Sequence, residues 1–201
     1  MQLKTLTKVG SISNLSDARY CAGMGVDMIG FSLDEDDEHY ISPTEIQAIS
    51  SWLAGVKLVG ETKHFDIDKI NDAINTLGLD YIQFDNAHNF DKYQFIAKPI
   101  IQKVYVLDAN VLHLYLGKVD YILFESKKTD FDLLKVREQL KAFSSLYPIL
   151  VGSGITADNI LTIIDECNIK GIGLKGGKEE RPGFKDFDEL AEIFEKLSEE
   201  E

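Results

Sequence analysis

Cysteine is scarce in this chain of 201 residues, acids outnumber bases, and no apolar run approaches the length of a membrane span. Each shortage excludes something. The two cysteines, Cys21 and Cys167, fall on separate predicted helices with no metal or redox spacing; they read as core thiols of a reducing cytosol. Lys and Arg total 21 against 34 Asp and Glu, a formal net charge of −13, which argues against nucleic acid or an anionic membrane as the main partner. With no apolar stretch long enough to cross a bilayer, no spanning segment is expected. The N-terminus enters an alternating strand-like run at once, Leu3 to Val9, so no signal peptide is expected and the location reads as cytoplasmic. His64, His88 and His113 show neither the spacing nor the carboxylate partners of a zinc site. Asp34-Glu35-Asp36-Asp37-Glu38 is an unbroken acidic run, but it lacks the glycine and oxygen spacing of a calcium loop and reads as solvated. No metal and no cofactor are expected.

A hydrophobic content of 44% supports one substantial core, and a weak internal repeat gives its architecture. Gly25-Val26-Asp27-Met28-Ile29-Gly30-Phe31 matches Gly78-Leu79-Asp80-Tyr81-Ile82-Gln83-Phe84, and a third copy runs Lys118-Val119-Asp120-Tyr121-Ile122-Leu123-Phe124. Each follows a helical pattern and turns into β-branched and aromatic residues, as at a helix-to-strand junction. Further apolar runs at Val56 to Val59, Ile100 to Leu107, Ile149 to Val151 and Ile169 to Leu174, with the N-terminal run, make eight candidate strands. Helical segments lie between them. Leu15 to Gly23 is the first, Ser42-Pro43-Thr44-Glu45 offers a capping box, and Thr156 or Asp158 is a candidate cap for Asn159 to Cys167. Asp186 is expected to open a final helix with Leu190, Ile193, Phe194 and Leu197 on one stripe. Strict alternation with buried, non-alternating strands implies a parallel sheet. Eight such units closing on themselves give a compact α/β fold, the (β/α)8 TIM barrel, as a single domain over residues 1–201 with short loops. An open doubly wound sheet competes, but no strand-like run is followed by GxGxxG.

Two glycine turns carry the functional signal: Gly152-Ser153-Gly154, and Lys175-Gly176-Gly177. Each follows a strand-like run and precedes a helical segment, and glycine lets backbone N–H groups approach an oxyanion. One such turn alone reads as a tight connection. Two on the last strand–helix units of a barrel point to a phosphate site after strands 7 and 8, formed by Gly152, Ser153, Gly154, Lys175, Gly176 and Gly177.

The chain also resembles the phosphoribosylanthranilate isomerase family from end to end. Val9-Gly10-Ser11-Ile12-Ser13-Asn14-Leu15-Ser16-Asp17-Ala18 is similar to the family opening Ile-Cys-Gly-Ile-Thr-(Asn/Ser)-Leu-Glu-Asp-Ala. Gly25 to Phe31 resembles Gly-Ala-Asp-Ala-Leu-Gly-Phe, and His39-Tyr40-Ile41-Ser42-Pro43 resembles Arg-Tyr-Val-Ser-Pro. Leu79 to Phe84 resembles Leu-Asp-Ala-Val-Gln-Leu; Gly152 to Asn159 resembles Gly-Gly-Leu-Thr-Pro-Glu-Asn; Lys175 to Glu179 with Pro182 to Asp186 resembles Ser-Ser-Gly-Val-Glu with Pro-Gly-(x)-Lys-Asp. The resemblance implies an Amadori isomerase of tryptophan biosynthesis, with a cysteine on the first strand as general base and an aspartate ending the sixth as general acid.

The departures fall on that chemistry. Gly10 stands at the cysteine position, Glu125 at the aspartate position, His39 at an arginine, Gly173 at an aspartate, and Lys127-Lys128-Thr129-Asp130 replaces a glycine-rich loop. Losing general acid–base help costs typically ~10²–10⁴-fold, so weak or absent turnover of the family substrate is expected. Glu125, Asp85 and Lys8 are the candidate proton carriers. Lys8 shares a strand face with Gly10 and also reads as a structural ion pair inside the barrel. Asp85, with Asn86 and His88, follows strand four opposite Glu125. His39 and Gln83 are candidate substrate contacts. Three readings stay open: a barrel of this family binding a phosphorylated small molecule, a non-catalytic sensor or partner subunit, and a diverged sugar-phosphate isomerase or lyase using Glu125. A monomer or a homodimer fits each of them.

Overall fold

The computed structural model describes residues 2–86, 90–105, 107–128, 131–175, 179–181, 184–185 and 187–198. Eight parallel strands close in chain order: β1 (Leu6–Gly10), β2 (Met28–Ser32), β3 (Lys57–Thr62), β4 (Tyr81–Phe84), β5 (Ile100–Val104), β6 (Tyr121–Phe124), β7 (Ile149–Val151) and β8 (Gly171–Lys175). Closure is made by β8 on β1, in register from Leu6 beside Gly171 to Gly10 beside Lys175. Outside lie α1 (Leu15–Gly23), α2 (Pro43–Ser50), α3 (Ile67–Leu77), α4 (Ala109–His113), α5 (Arg137–Ser144), α6 (Ile160–Cys167) and α7 (Asp188–Leu197), with 3₁₀ turns at Phe90–Phe95 and Leu133–Val136.

The core has two compartments because successive strand residues face opposite ways. Outward residues such as Val9, Phe31, Ile82, Phe124 and Ile172 pack with helix residues including Ala18, Ile46, Ile74 and Ile163 in the large core; both cysteines belong to it. Inside the barrel a separate cluster of Met28, Val59, Ile101, Leu123 and Leu150 fills the lower section. Above it the inward positions turn polar.

The internal repeat has a physical basis. In each copy the aspartate bridges to the strand before it. Asp27 Oδ2 accepts from the Thr7 N–H at 2.8 Å, Asp80 Oδ2 from Leu58 at 3.0 Å, and Asp120 Oδ2 from Ile100 at 2.9 Å. The N–H of each aspartate donates back to the same residue's carbonyl oxygen. Three strand starts are thereby satisfied at the lower rim.

Local signals resolve with some corrections. The capping box is present: Ser42 accepts from the Glu45 N–H, and Glu45 accepts from the Ser42 N–H. Neither Thr156 nor Asp158 caps α6; Asn159 is its N-cap residue and its side chain turns back, accepting from the Thr156 N–H and donating to the Gly154 carbonyl. The last helix starts at Asp188, not Asp186, and no helix directly follows Lys175-Gly176-Gly177. Instead β9 (Glu179–Arg181) and β10 (Phe184–Lys185) pair antiparallel. The first strand begins at Leu6; Leu3 makes a bridge to Ser198 that joins the two chain ends.

Candidate active site

The C-terminal ends of the strands surround a mouth cavity of about 300 Å³, lined by Ser11, Asp34, His39, Glu61, Lys63, Asp85, Lys103, Tyr105 and Lys175 among others. This is the face on which barrels of this kind carry their sites. Its floor is an alternating set of acids and lysines. Lys8 on β1 is fully buried and ion-paired to Glu61 Oε1 from β3. Glu61 Oε2 accepts from the Ser11 N–H at 3.0 Å. Lys103 on β5 is ion-paired to Asp85 and lies 3.8 Å from Glu125 Oε2, which also accepts from Lys175 Nζ at 3.2 Å.

Burial alone would raise the Glu61 pKa, but Lys8 outweighs it, with help from Lys103 and the Ser11 N–H, and the carboxyl sits below its ordinary range. Burial would likewise depress Lys103, yet Asp85 and then Glu125 dominate and hold its ammonium above the usual lysine value. Both groups are therefore charged at neutral pH.

Glu61 occupies room that two glycines leave. A Cβ at Gly10 would lie 2.5 Å from Glu61 Oε1 and 3.0 Å from Lys8 Nζ, and one at Gly30 would lie 2.2 Å from Oε1 and 2.6 Å from Glu61 Cδ. The carboxylate reaches over β2 into the space beside β1. Similarly, a Cβ at Gly173 would meet Leu123 Cδ1 at 2.5 Å, so a leucine fills the volume above β8.

The acidic run is less solvated than its composition suggests. Asp34 is buried and accepts from the Thr62 hydroxyl and the Lys63 N–H, while Lys63 pairs with Asp37 at 3.0 Å. His64 does have a carboxylate neighbour, Asp36 Oδ1 at 3.6 Å, and one ligand atom each of Asp34, Asp36 and His64 lies within 4.8 Å of the others. Protein hydrogen bonds already engage both oxygens of Asp34.

The structure describes most of the residues singled out from sequence. Lys8, Asp85 and Glu125 are all in the lysine–carboxylate network, with Lys103 interposed between the two acids. His39 lines the cavity with its Nε2 3.5 Å from Glu38. Gln83 is buried, donates to Asp85 Oδ1 at 2.7 Å, and its Oε1 has no hydrogen-bond partner among the described residues; it holds Asp85 and is not among the residues lining the cavity. Of the first glycine turn, the Gly152 N–H donates to the Phe124 carbonyl at 2.7 Å and is taken out of any anion site. Its missing side chain instead admits Glu125, whose Cγ would lie 2.8 Å from a Cβ there. Ser153 Oγ accepts from the Ser126 N–H, and Gly154 is left-handed at φ 77°. Lys175 lines the cavity; Gly176, Gly177 and His88 lie outside the described residues. Glu61 and Lys103 were not singled out. Their signal was a charged residue inside, or directly ending, an otherwise apolar strand.

A family model described as N-(5'-phosphoribosyl)anthranilate (PRA) isomerase matches residues 7–196. The chain belongs to this family. Among curated relatives, N-(5'-phosphoribosyl)anthranilate isomerase of Parabacteroides distasonis is 28% identical, covering 96% of this chain and 93% of the relative. That of Nostoc punctiforme is 26% identical over 94% and 97%. Phosphoribosyl anthranilate isomerase of Thermus thermophilus superposes with a TM-score of 0.79 at 18% identity, over 96% of this chain and 98% of that one. A further isomerase structure, in complex with reduced 1-(o-carboxyphenylamino)-1-deoxyribulose 5-phosphate, gives 0.76 at 24% identity over the same shares. At these identities the superpositions show the barrel fold. In this chain Gly10 meets Glu61, and at the end of β6 Glu125 meets Lys103 and Lys175. Among the described residues no helix is long and apolar enough to cross a membrane.

Proposed function

We propose that this member of the isomerase family binds a phosphorylated small molecule across the barrel mouth and turns over N-(5'-phosphoribosyl)anthranilate weakly or not at all. In this reading the phosphate sits beside Ser153, Gly154 and Lys175, with Gly176 and Gly177 as further backbone donors, and the remainder of the ligand lies over Glu61 and Lys103. The protein is a single cytoplasmic barrel domain. One observation carries the catalytic half: Glu61 Oε1 stands 2.5 Å from where a side chain at position 10 would begin. A thiol base on β1 is not merely absent, since its volume is occupied. The far end of the cavity supports the same conclusion, because Asp34, Asp37 and Glu38 line it and like charges disfavour a carboxylated aromatic ring there.

Complementation of a tryptophan auxotroph lacking the isomerase tests the catalytic half. No growth without tryptophan is expected; vigorous growth refutes it. The binding half is tested by melting in ribose 5-phosphate or inorganic phosphate. A ligand at ~100 times its Kd adds about 2.7 kcal/mol, so a clear rise in Tm is expected, and Gly176→Asp should remove it. No rise at millimolar concentration would refute the phosphate site.

A further inference from the structure

Glu61 has the contacts of a working group. Lys8 engages Oε1 and the Ser11 N–H engages Oε2, while an ionised carboxylate offers about four lone-pair positions. It lines the mouth cavity together with Lys103, Lys175 and Tyr105. The backbone beneath it is strained: Ser11 is non-glycine yet left-handed at φ 57°, a conformation that L side chains rarely adopt. That conformation accompanies the N–H bond to Glu61 Oε2, and strained residues concentrate where geometry is held for function. Lys103 is the facing cation, buried and held by Asp85 and Glu125. Glu125 is as buried as Glu61 but is not among the residues lining that cavity; it contacts Lys103 and Lys175 and orients them.

We infer that Glu61 replaces the missing side chain of position 10 as the proton acceptor, and that the mouth catalyses a 1,2 proton shift between the aldose and ketose forms of a sugar phosphate carrying hydroxyls, not an aromatic carboxylate, at its far end. This rests on the phosphorylated-ligand reading above. The step balances without a co-reactant. Glu61 takes the proton from C2, the C–H pair becomes the C1–C2 double bond, and the carbonyl pair moves to O1, where the Lys103 ammonium stabilises the charge. The O2 proton passes to O1, the O2 pair re-forms a carbonyl at C2, and Glu61 returns its proton to C1. Carbon is oxidised at C2 and reduced at C1, with no net change. The acids at the rim suit a hydroxyl-bearing chain as hydrogen-bond acceptors.

The experiment incubates the full chain with ribose 5-phosphate, and separately ribulose 5-phosphate, in D2O. Proton NMR follows deuterium entry at C2 or C1 and conversion of one sugar into the other. Wild type should exchange. Glu61→Gln should lower the rate by ~10²–10⁴-fold, the usual range for general base loss, while the Tm rise in inorganic phosphate persists. Because Glu61→Gln leaves Lys8 buried without its partner, Lys8→Met/Glu61→Gln is measured beside it, with folding checked by circular dichroism; it should lose exchange equally. Exchange unchanged in either folded variant overturns the inference, as does a wild type that is stabilised by phosphate but exchanges neither sugar. If phosphate gives no Tm rise, the phosphorylated-ligand reading fails on its own, and loss of exchange on Glu61 substitution still identifies the proton acceptor.

Discussion

A single methyl group at position 10 probes the mouth. In Gly10→Ala the new Cβ falls 2.5 Å from Glu61 Oε1 and 3.0 Å from Lys8 Nζ. Neither neighbour is free to retreat, since they are paired to each other and Glu61 Oε2 also holds the Ser11 N–H. Overpacking of a filled interior costs ~1–3 kcal/mol. In a Lys8→Met/Glu61→Ala background the obstruction is gone and no unpaired charge remains. Gly10 is not among the positive-φ residues, so alanine there should stabilise by about 0.4–1 kcal/mol through the unfolded chain. The sign of the same substitution therefore reverses, with a coupling of roughly 1.5–4 kcal/mol. Urea unfolding followed by far-ultraviolet circular dichroism is the assay; the one tryptophan, Trp52, is 69% exposed and a poor reporter of burial. Equal effects in both backgrounds, within about 0.5 kcal/mol, would refute the claim that Glu61 fills the space of position 10. Gly10→Cys meets the same obstruction, so that reversion alone should restore little isomerase activity.

Four further outcomes follow from particular contacts. Asp120→Ala removes the acceptor of the Ile100 N–H and should cost about 1–3 kcal/mol by urea titration, whereas Asp120→Asn retains most of the stability. Gly154→Ala places a Cβ 2.9 Å from that of Leu133 at φ 77°, and should destabilise by more than ~1 kcal/mol without altering the Glu61 network. Ser42→Ala removes the α2 cap and should cost ~1 kcal/mol. The folded pKa of Glu61 is depressed, so its contribution is complete above the unfolded value of about 4.3 and disappears as pH falls through the folded value. The stability gap between wild type and Lys8→Met/Glu61→Gln should therefore be constant from pH 7 to about 5 and shift at lower pH; a gap independent of pH down to 2 would contradict a carboxylate held ionised by Lys8.

Much of the barrel was legible because each unit signals itself locally. The three Gly-x-Asp or Lys-x-Asp junctions sit at β2, β4 and β6, where each aspartate ties two neighbouring strands. The hairpin after β8 was not legible, since its short strands carry no apolar periodicity. The mouth was legible only in part. Glu61 lay beyond an apolar run read as ending at Val59, and Lys103 was hidden inside one. More fundamentally, Gly10 reads in one dimension as a deleted group. In the barrel it is half of an exchange of volume, and the exchange follows the layering. Side chains of one interior layer come from alternate strands, so a glycine on β1 is filled from β3 by Glu61, and Gly173 on β8 is filled from β6 by Leu123. One exchange brings a carboxylate and the other an apolar group. On the β1 side the space beside Gly10 thus holds a carboxylate paired to Lys8, and on the β8 side the space above Gly173 is filled by a leucine.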